Sequence, residues 1–212
     1  MKLIKHFYSL SPDWFTIFAK EIGKENVENI NLVTLDKIGG GYFYFSQALP
    51  GVSVVLRDFI LNTSIKFNKL ITSEEFYILN FYPVNDHDLE NNLKKNCNEK
   101  DSPIFNVNIS HNQLEDDLCP PINERVFSVT LLVSKKVMFE YISQLPHSGV
   151  LYEKLKRSGN FCTESVDSKS IILLQSIKRK SVTDLSFDFF IKGISLRLLA
   201  NFLKRNESSI LE

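Results

Sequence analysis

The feature that most constrains the fold of this chain is a change in its hydrophobic period near residue 133. Before that point apolar side chains alternate with polar ones, which predicts β-strands; after it they recur at the spacing of an α-helix. The predicted strands are short, rich in Val, Ile, Phe and Tyr, and cover residues 30–35, 42–47, 52–61, 65–70, 75–82, 104–109 and 125–133. An order of strands first and helices afterwards predicts an α+β protein.

Turn-forming residues separate the predicted strands at intervals typical of an antiparallel sandwich or barrel. They are Gly39-Gly40-Gly41, Pro50-Gly51, Asn62-Thr63 and Thr72-Ser73. The triple glycine lacks the lysine and hydroxyl of a phosphate-binding P-loop, so we interpret it as a strand connection. A polar insertion, residues 84–102, is interpreted as a long surface loop. We therefore expect residues 1–133 to form an N-terminal helix and an antiparallel β-barrel.

Several helix boundaries are marked by capping residues. Ser11-Pro12-Asp13 supplies a capping hydroxyl, a proline at the first helical position and an acid in the first turn, and Gly23 ends that helix. Ser134 is placed to cap a helix that directly follows the last strand. Further helices are expected at residues 150–157, 168–178 and 184–205. We expect a helical subdomain over residues 134–206, with 207–212 as the start of a linker.

The last predicted helix carries two apolar stripes on almost opposite faces. One stripe consists of Leu185, Phe189, Leu196, Leu199 and Leu203, and the other of Phe187, Ile191, Ile194, Leu198 and Phe202. Packing on a single core requires only one stripe, so the second indicates a partner such as the same helix of another subunit. We expect a homodimer that uses the first stripe, because its spacing is closer to a heptad seam. The alternative is a helix enclosed on both sides by its own domain.

Composition excludes several functional classes. The 212 residues include 25 Lys and Arg against 25 Asp and Glu, whereas a domain that contacts nucleic acid phosphates usually has a basic surplus. The three cysteines form no CxxC pair and the four histidines are isolated, so neither a disulfide framework nor a metal or other cofactor is expected. The sequence contains no nucleophile motif such as GxSxG, so catalysis is not indicated. The absence of a signal-peptide pattern or a membrane-long apolar run favours a cytoplasmic protein.

Aromatic side chains in the predicted strands indicate a ligand site. Small barrels either fill their interior with side chains or enclose one small ligand. Arg57 stands in an otherwise apolar strand, where it would offer a cation to an acidic ligand. The predicted ligand-binding residues are Arg57, Phe59, Phe67, Tyr77 and Phe81. The alternative is an outward-facing, solvated arginine over an ordinary filled core.

Three stretches of the chain resemble the N-terminal regulatory half of AraC-type transcription regulators, in particular the variety found in Bacteroidetes-like bacteria. They are YFYFSQALPGVSVVLRDFILNTSIKFNKLITSEEFYILNFYPVND, SKKVMFEYISQL and SIILLQSIKRKSVTDLSFDFFIKGISLRLLANFLKR. The resemblance covers nearly the whole chain. It implies a cupin-like jelly-roll barrel that binds an effector, followed by helices that dimerise and connect to a DNA-binding half with two helix-turn-helix units.

Two departures from that family pattern qualify the expectation. No helix-turn-helix segment follows Arg205, so DNA binding is expected only through a domain that this chain lacks. The paired histidines of metal-dependent cupins are missing too, which argues against an iron or manganese enzyme. Two alternatives remain open: a metal-free cupin-like isomerase or lyase acting on a small acid through a strongly perturbed Glu or His, and a stand-alone protein-interaction module.

Overall fold

A computed structural model describes residues 1–24, 31–84, 104–145, 148–157 and 162–208 of the chain. The elements, in chain order, are β1 (Lys2–His6), α1 (Asp13–Ile22), β2 (Leu32–Thr34), β3 (Gly39–Leu49), β4 (Val52–Leu61), β5 (Ile65–Lys69), β6 (Phe76–Pro83), β7 (Phe105–His111), β8 (Asp116–Leu118), β9 (Arg125–Ser134), α2 (Lys135–Ser143), α3 (Ser148–Arg157), β10 (Cys162–Ser165), α4 (Ser168–Arg179) and α5 (Phe187–Ser208). The predicted α+β class is confirmed. No helix within these ranges is long and apolar enough to cross a membrane.

The strands form two open sheets. A seven-stranded antiparallel sheet has the order β10-β7-β6-β9-β4-β3-β2, and a three-stranded sheet has the order β1-β5-β8 with β1 parallel to β5. Neither sheet closes on itself in the described part of the chain. The predicted closed barrel is therefore not confirmed, because β1, β5 and β8 pair with one another rather than with the edges of the large sheet.

Both faces of the large sheet are buried, and side-chain alternation divides the apolar residues into two cores. Along β4, Val54 and Leu56 point to the face covered by α2–α5, which we call the helix-side core. Val55 and Phe59 point to the opposite face, which is covered by α1 and the small sheet; we call this the aromatic core. The next side chain on that second face is Arg57, so the alternation directs a cation between the two sheets.

Helix α1 covers the aromatic core with its apolar face. Its apolar face buries Trp14, Phe15 and Phe18, and Phe15 stacks on Phe45 of β3 with ring centroids 5.8 Å apart. Gly23 ends the helix in the left-handed conformation (φ 99°), where its amide bonds back to the last turn. Gly23 ends the helix as predicted, but the helix begins at Asp13 with Pro12 at the N-cap and no side-chain cap hydrogen bond, so the predicted Ser11 cap is not confirmed.

Helix α5 begins three residues later than predicted. Some residues of the stripe predicted to form the dimer interface are buried, and others are exposed. Asp184 Oδ1 accepts a hydrogen bond from the Ser186 amide (2.8 Å), which forms a turn before the helix. Leu199 and Leu203 are buried in the chain's own helix-side core. Leu185 is 99% exposed and Phe189 is 79% exposed, whereas Leu196 is partly buried. The stripe as a whole is therefore not a free surface: its C-terminal half closes the core, as the enclosed-helix alternative expects.

The triple glycine opens β3, and two of its members, Gly39 and Gly41, leave no room for a Cβ; at Gly39 an added Cβ would lie 2.0 Å from the Ile60 main-chain oxygen. Gly41 has φ +92°, and an added Cβ would lie 2.6 Å from the Phe59 Cα. We expect Gly41→Ala to lower the free energy of unfolding by about 1–3 kcal/mol, because alanine is strained at positive φ and meets the backbone of β4. Gly40→Ala is the matched control, since nothing lies within 4 Å of its added Cβ. Urea titration measures both; equal effects would contradict the described backbone.

Candidate functional site

A partly enclosed cavity of about 120 Å³ lies on the aromatic-core side of the large sheet, between this sheet, α1 and the small sheet. Its apolar wall consists of Tyr8, Trp14, Phe18, Phe43, Val55, Phe67, Ile78 and Leu118, and its polar wall of His6, Arg57, Lys69, Asn80, Asn108, Ser110, Asp116, Asp117 and Thr130. Cavities of this kind, largely apolar with a few converging polar groups, are the usual form of a small-molecule site.

Arg57 is held at the centre of the polar wall by two neutral side chains. Its Nη2 donates to Asn80 Oδ1 (2.8 Å) and to Thr130 Oγ1 (2.9 Å), and Thr130 Oγ1 donates to Asn80 Oδ1 (2.8 Å). The three residues are neighbours because β4, β9 and β6 are adjacent strands whose residues share one face. Among the described residues no carboxylate forms an ion pair with Arg57. The guanidinium is thus oriented but not neutralised.

Three cavity-lining residues carry buried polar atoms without a hydrogen-bond partner in the described structure. They are Trp14 Nε1, Arg57 Nε and Asn108 Oδ1. A buried polar group that stays unsatisfied costs about 1–3 kcal/mol, and native proteins tolerate few of them. Two donors and one acceptor on residues that line one cavity therefore indicate a polar occupant.

His6 also lines the cavity but brings no charge to it. The His6 ring packs against Tyr8, Phe18 and Phe67. Burial, assisted by the Arg57 and Lys69 charges, lowers the pKa of His6 to about 4, so its ring is neutral at pH 7.

Lys69 is 4% exposed, and its Nζ donates to the main-chain oxygens of Asn112 (3.1 Å) and Leu114. Burial lowers the pKa of Lys69, while the Asp116 and Glu115 charges oppose that shift. Its ammonium hydrogens are thus directed in part at the backbone that precedes β8.

The acidic residues of the cavity lie on β8. Asp117 pairs with Lys66 (2.7 Å) and accepts from Asn68 Nδ2 (2.9 Å), and these hydrogen bonds hold the pKa of Asp117 below its usual range. Asp117 is therefore paired with Lys66, whereas Arg57, Lys69 and Asp116 of the same wall form no ion pair among the described residues.

The structure brings together some of the predicted ligand-binding residues and separates others. Arg57 and Phe67 line the cavity, and Phe59 lies behind it in the aromatic core, stacked on Phe43 (5.1 Å between centroids). Tyr77 and Phe81 lie on the opposite face of the sheet, in the helix-side core. The error follows from alternation along β6, which turns the even-numbered positions, including Asn80, toward the cavity.

Most of the polar wall, and Trp14 of the apolar wall, were not predicted from the sequence. His6 and Trp14 come from β1 and α1, which only tertiary packing brings over the sheet. Asn80 and Asn108 carried a usable signal, since each is a polar residue at an inward position of an apolar strand. His87 and His147 lie outside the described residues. Within the described ranges no group of three or more His, Cys, Asp or Glu is arranged to hold a metal.

Comparison of the chain with protein-family models, curated proteins and solved structures gives no match. The cavity geometry is therefore the main guide to function.

Proposed function

We propose that this chain is the effector-binding and dimerisation domain of a cytoplasmic transcription regulator, in line with its resemblance to the AraC-type family. The observation that carries the proposal is the cavity in which an oriented Arg57 faces aromatic walls without a carboxylate partner. The two sheets, which do not close into a barrel, are compatible with an open form of the cupin-like jelly roll that the family uses. DNA contacts would belong to a helix-turn-helix domain outside this chain.

A route for the signal runs through β3. Phe43 forms part of the cavity wall, while the next residue, Tyr44, points to the other face and donates to Asp188 Oδ1 on α5 (3.0 Å). Ser46 donates to the same oxygen (2.5 Å), and Lys192 pairs with the second one. A ligand that presses on Phe43 would thereby favour one arrangement of α5, which is a population shift between two states.

A metal-free isomerase or lyase is less well supported. Such an enzyme needs a base whose pKa lies near the operating pH. His6 is the strongly perturbed group of the cavity, but with a pKa of about 4 it accepts protons poorly near neutrality. Binding without catalysis accounts better for this arrangement.

Binding in the cavity has a built-in reporter, because Trp14 is the sole tryptophan of the chain and lines the cavity. We expect titration with a library of small acids, amides and polyols to identify a compound that changes Trp14 fluorescence saturably and raises the melting temperature. A compound bound elsewhere would stabilise the chain without changing that emission. If no compound in the library produces the joint response, the proposed function fails.

The dimer would use the part of the stripe that is exposed. We expect the chain to sediment as a dimer and the double substitution Leu185→Glu, Phe189→Glu to give a folded monomer, because charged residues would replace two exposed apolar side chains, one just before α5 and one in its first turn. Ile172→Glu on α4, at a position 65% exposed, is the control and should leave the dimer intact. A wild-type chain that is monomeric at high micromolar concentration would contradict dimerisation.

A further inference from the structure

We infer that the ligand of the cavity between the two sheets is a short hydroxycarboxylate, bound through its carboxylate by Arg57 and Trp14 and through its hydroxyl by Asn108. This inference rests on the proposed function and names the ligand class of the same site. Three observations carry it: the charge of the polar wall, its unpartnered atoms and the size of the cavity.

The single positive charge of the Arg57 guanidinium favours a ligand with one negative charge. Arg57 and Lys69 are the arginine and lysine side chains that line the cavity, and neither forms an ion pair among the described residues; the Arg57 Nη2 is already occupied by Asn80 and Thr130. The Lys69 ammonium donates to two main-chain oxygens. With Nη2 occupied, neither bidentate edge of the guanidinium is free, so a carboxylate would accept a single charged hydrogen bond from Arg57 Nε, whereas a phosphate dianion would call for a second available cation.

The unpartnered atoms specify the remaining groups. Trp14 Nε1 and Arg57 Nε are buried donors, and a carboxylate offers both of them an acceptor. Asn108 Oδ1 is a buried acceptor that a carboxylate alone leaves unsatisfied. One hydroxyl on the ligand supplies the missing donor, and this contact separates a hydroxy acid from its deoxy analogue.

The size and the walls limit the carbon skeleton. An apolar cavity of about 150 Å³ accommodates benzene, so the cavity of about 120 Å³ suits a ligand of roughly six non-hydrogen atoms. Lactate and 3-hydroxypropionate both meet this limit. The rings of Phe18, Phe43 and Phe67 provide an apolar surface for the methyl or methylene groups.

The test compares matched probes by calorimetry and Trp14 fluorescence: lactate, 3-hydroxypropionate, propionate, lactamide and inorganic phosphate. We expect one of the two hydroxy acids to bind about tenfold more tightly than propionate, the value of one buried hydrogen bond, and lactamide to bind too weakly to measure. Lactamide that equals lactate, or phosphate that binds more tightly than both hydroxy acids, would overturn the inference.

Substitutions of Arg57 and Asn108 test which residue contacts which group of the ligand. Arg57→Gln should weaken binding of the hydroxy acid about ten- to a hundredfold, as expected for loss of a charged hydrogen bond. Arg125→Gln, on the neighbouring strand but paired with Asp58 outside the cavity, should leave it unchanged. Asn108→Ala should remove the difference between hydroxy acid and propionate while propionate binds as before. If Arg57→Gln does not fold, the Asn108→Ala comparison decides, and a preserved difference overturns the inference.

The ligand class and the proposed function can fail separately. If none of these probes binds but a neutral library compound changes Trp14 fluorescence saturably, the hydroxycarboxylate is wrong and the effector cavity stands. If no small molecule of either set changes it, both fall.

Discussion

Phe187→Ala is expected to lower the free energy of unfolding by about 3–5 kcal/mol, the usual cost of removing a fully buried phenyl ring. Phe187 is 1% exposed at the first turn of α5, and its ring meets Tyr44 edge to face with centroids 5.0 Å apart. The ring therefore packs the long helix against β3, next to the hydrogen bonds that Tyr44 and Ser46 donate to Asp188. Truncation leaves a cavity at that junction.

Phe189→Ala is the matched control, two residues along the same helix and 79% exposed. At a protein concentration too low for the proposed dimer, we expect it to change the free energy of unfolding of the monomer by no more than about 0.5 kcal/mol, as for most surface substitutions. Guanidinium titration of both variants gives the comparison. A larger loss for Phe189→Ala than for Phe187→Ala would reverse the assignment of the two helix faces.

The second large effect is a loss of stability in mild acid that depends on His6. Its pKa is lowered from 6.5 in the unfolded chain to about 4 in the folded protein, chiefly by burial. Between these values the unfolded chain binds more protons, so stability falls as the pH drops from 6.5 toward 4. The full difference corresponds to about 3 kcal/mol. Above pH 6.5 both states are neutral at His6, and the contribution is constant.

Denaturant titrations between pH 7 and pH 4 measure this slope. His6→Asn should flatten it, because asparagine does not titrate and can still donate toward the Asn68 carbonyl. His111→Asn is the comparison: burial lowers the pKa of His111 as well, so this substitution removes a part of the slope, and the part due to His6 should persist. A His6→Asn protein with the wild-type slope would show that His6 is not buried as described.

Much of the architecture was predictable because strand alternation is a local signal. β4 has its predicted bounds, Val52–Leu61, and the Ser134 side chain accepts from the Val137 amide at the start of α2, as expected of a cap. β1, β8 (Asp116–Leu118) and β10 (Cys162–Ser165) were missed, because they are short and their pairing partners lie far away in sequence. β1, for example, pairs with β5, whose residues are more than 60 positions away.

The candidate site was predictable only in part, for a related reason. Alternation shows which residues share a face but not which face is turned inward, and a sheet buried on both sides is apolar on both. Arg57 was identified because it interrupts an apolar strand, whereas Tyr77 and Phe81 were assigned to the wrong face. Likewise, the stripe of the last helix did not reveal that Leu199 and Leu203 close the chain's own core.

The most direct test of the effector cavity is NMR spectroscopy of the side-chain N–H groups in ¹⁵N-labelled protein, titrated with small acids, amides and polyols. At least one compound should shift the Arg57 Nε–H and Trp14 Nε1–H resonances together, since both donors are buried, unpartnered and belong to residues that line one cavity. The Arg125 Nε–H resonance, whose group donates to Asp58 (2.7 Å), should not move. Spectra in which no compound shifts the first two, or in which Arg125 shifts equally, would contradict a ligand-binding cavity between the two sheets.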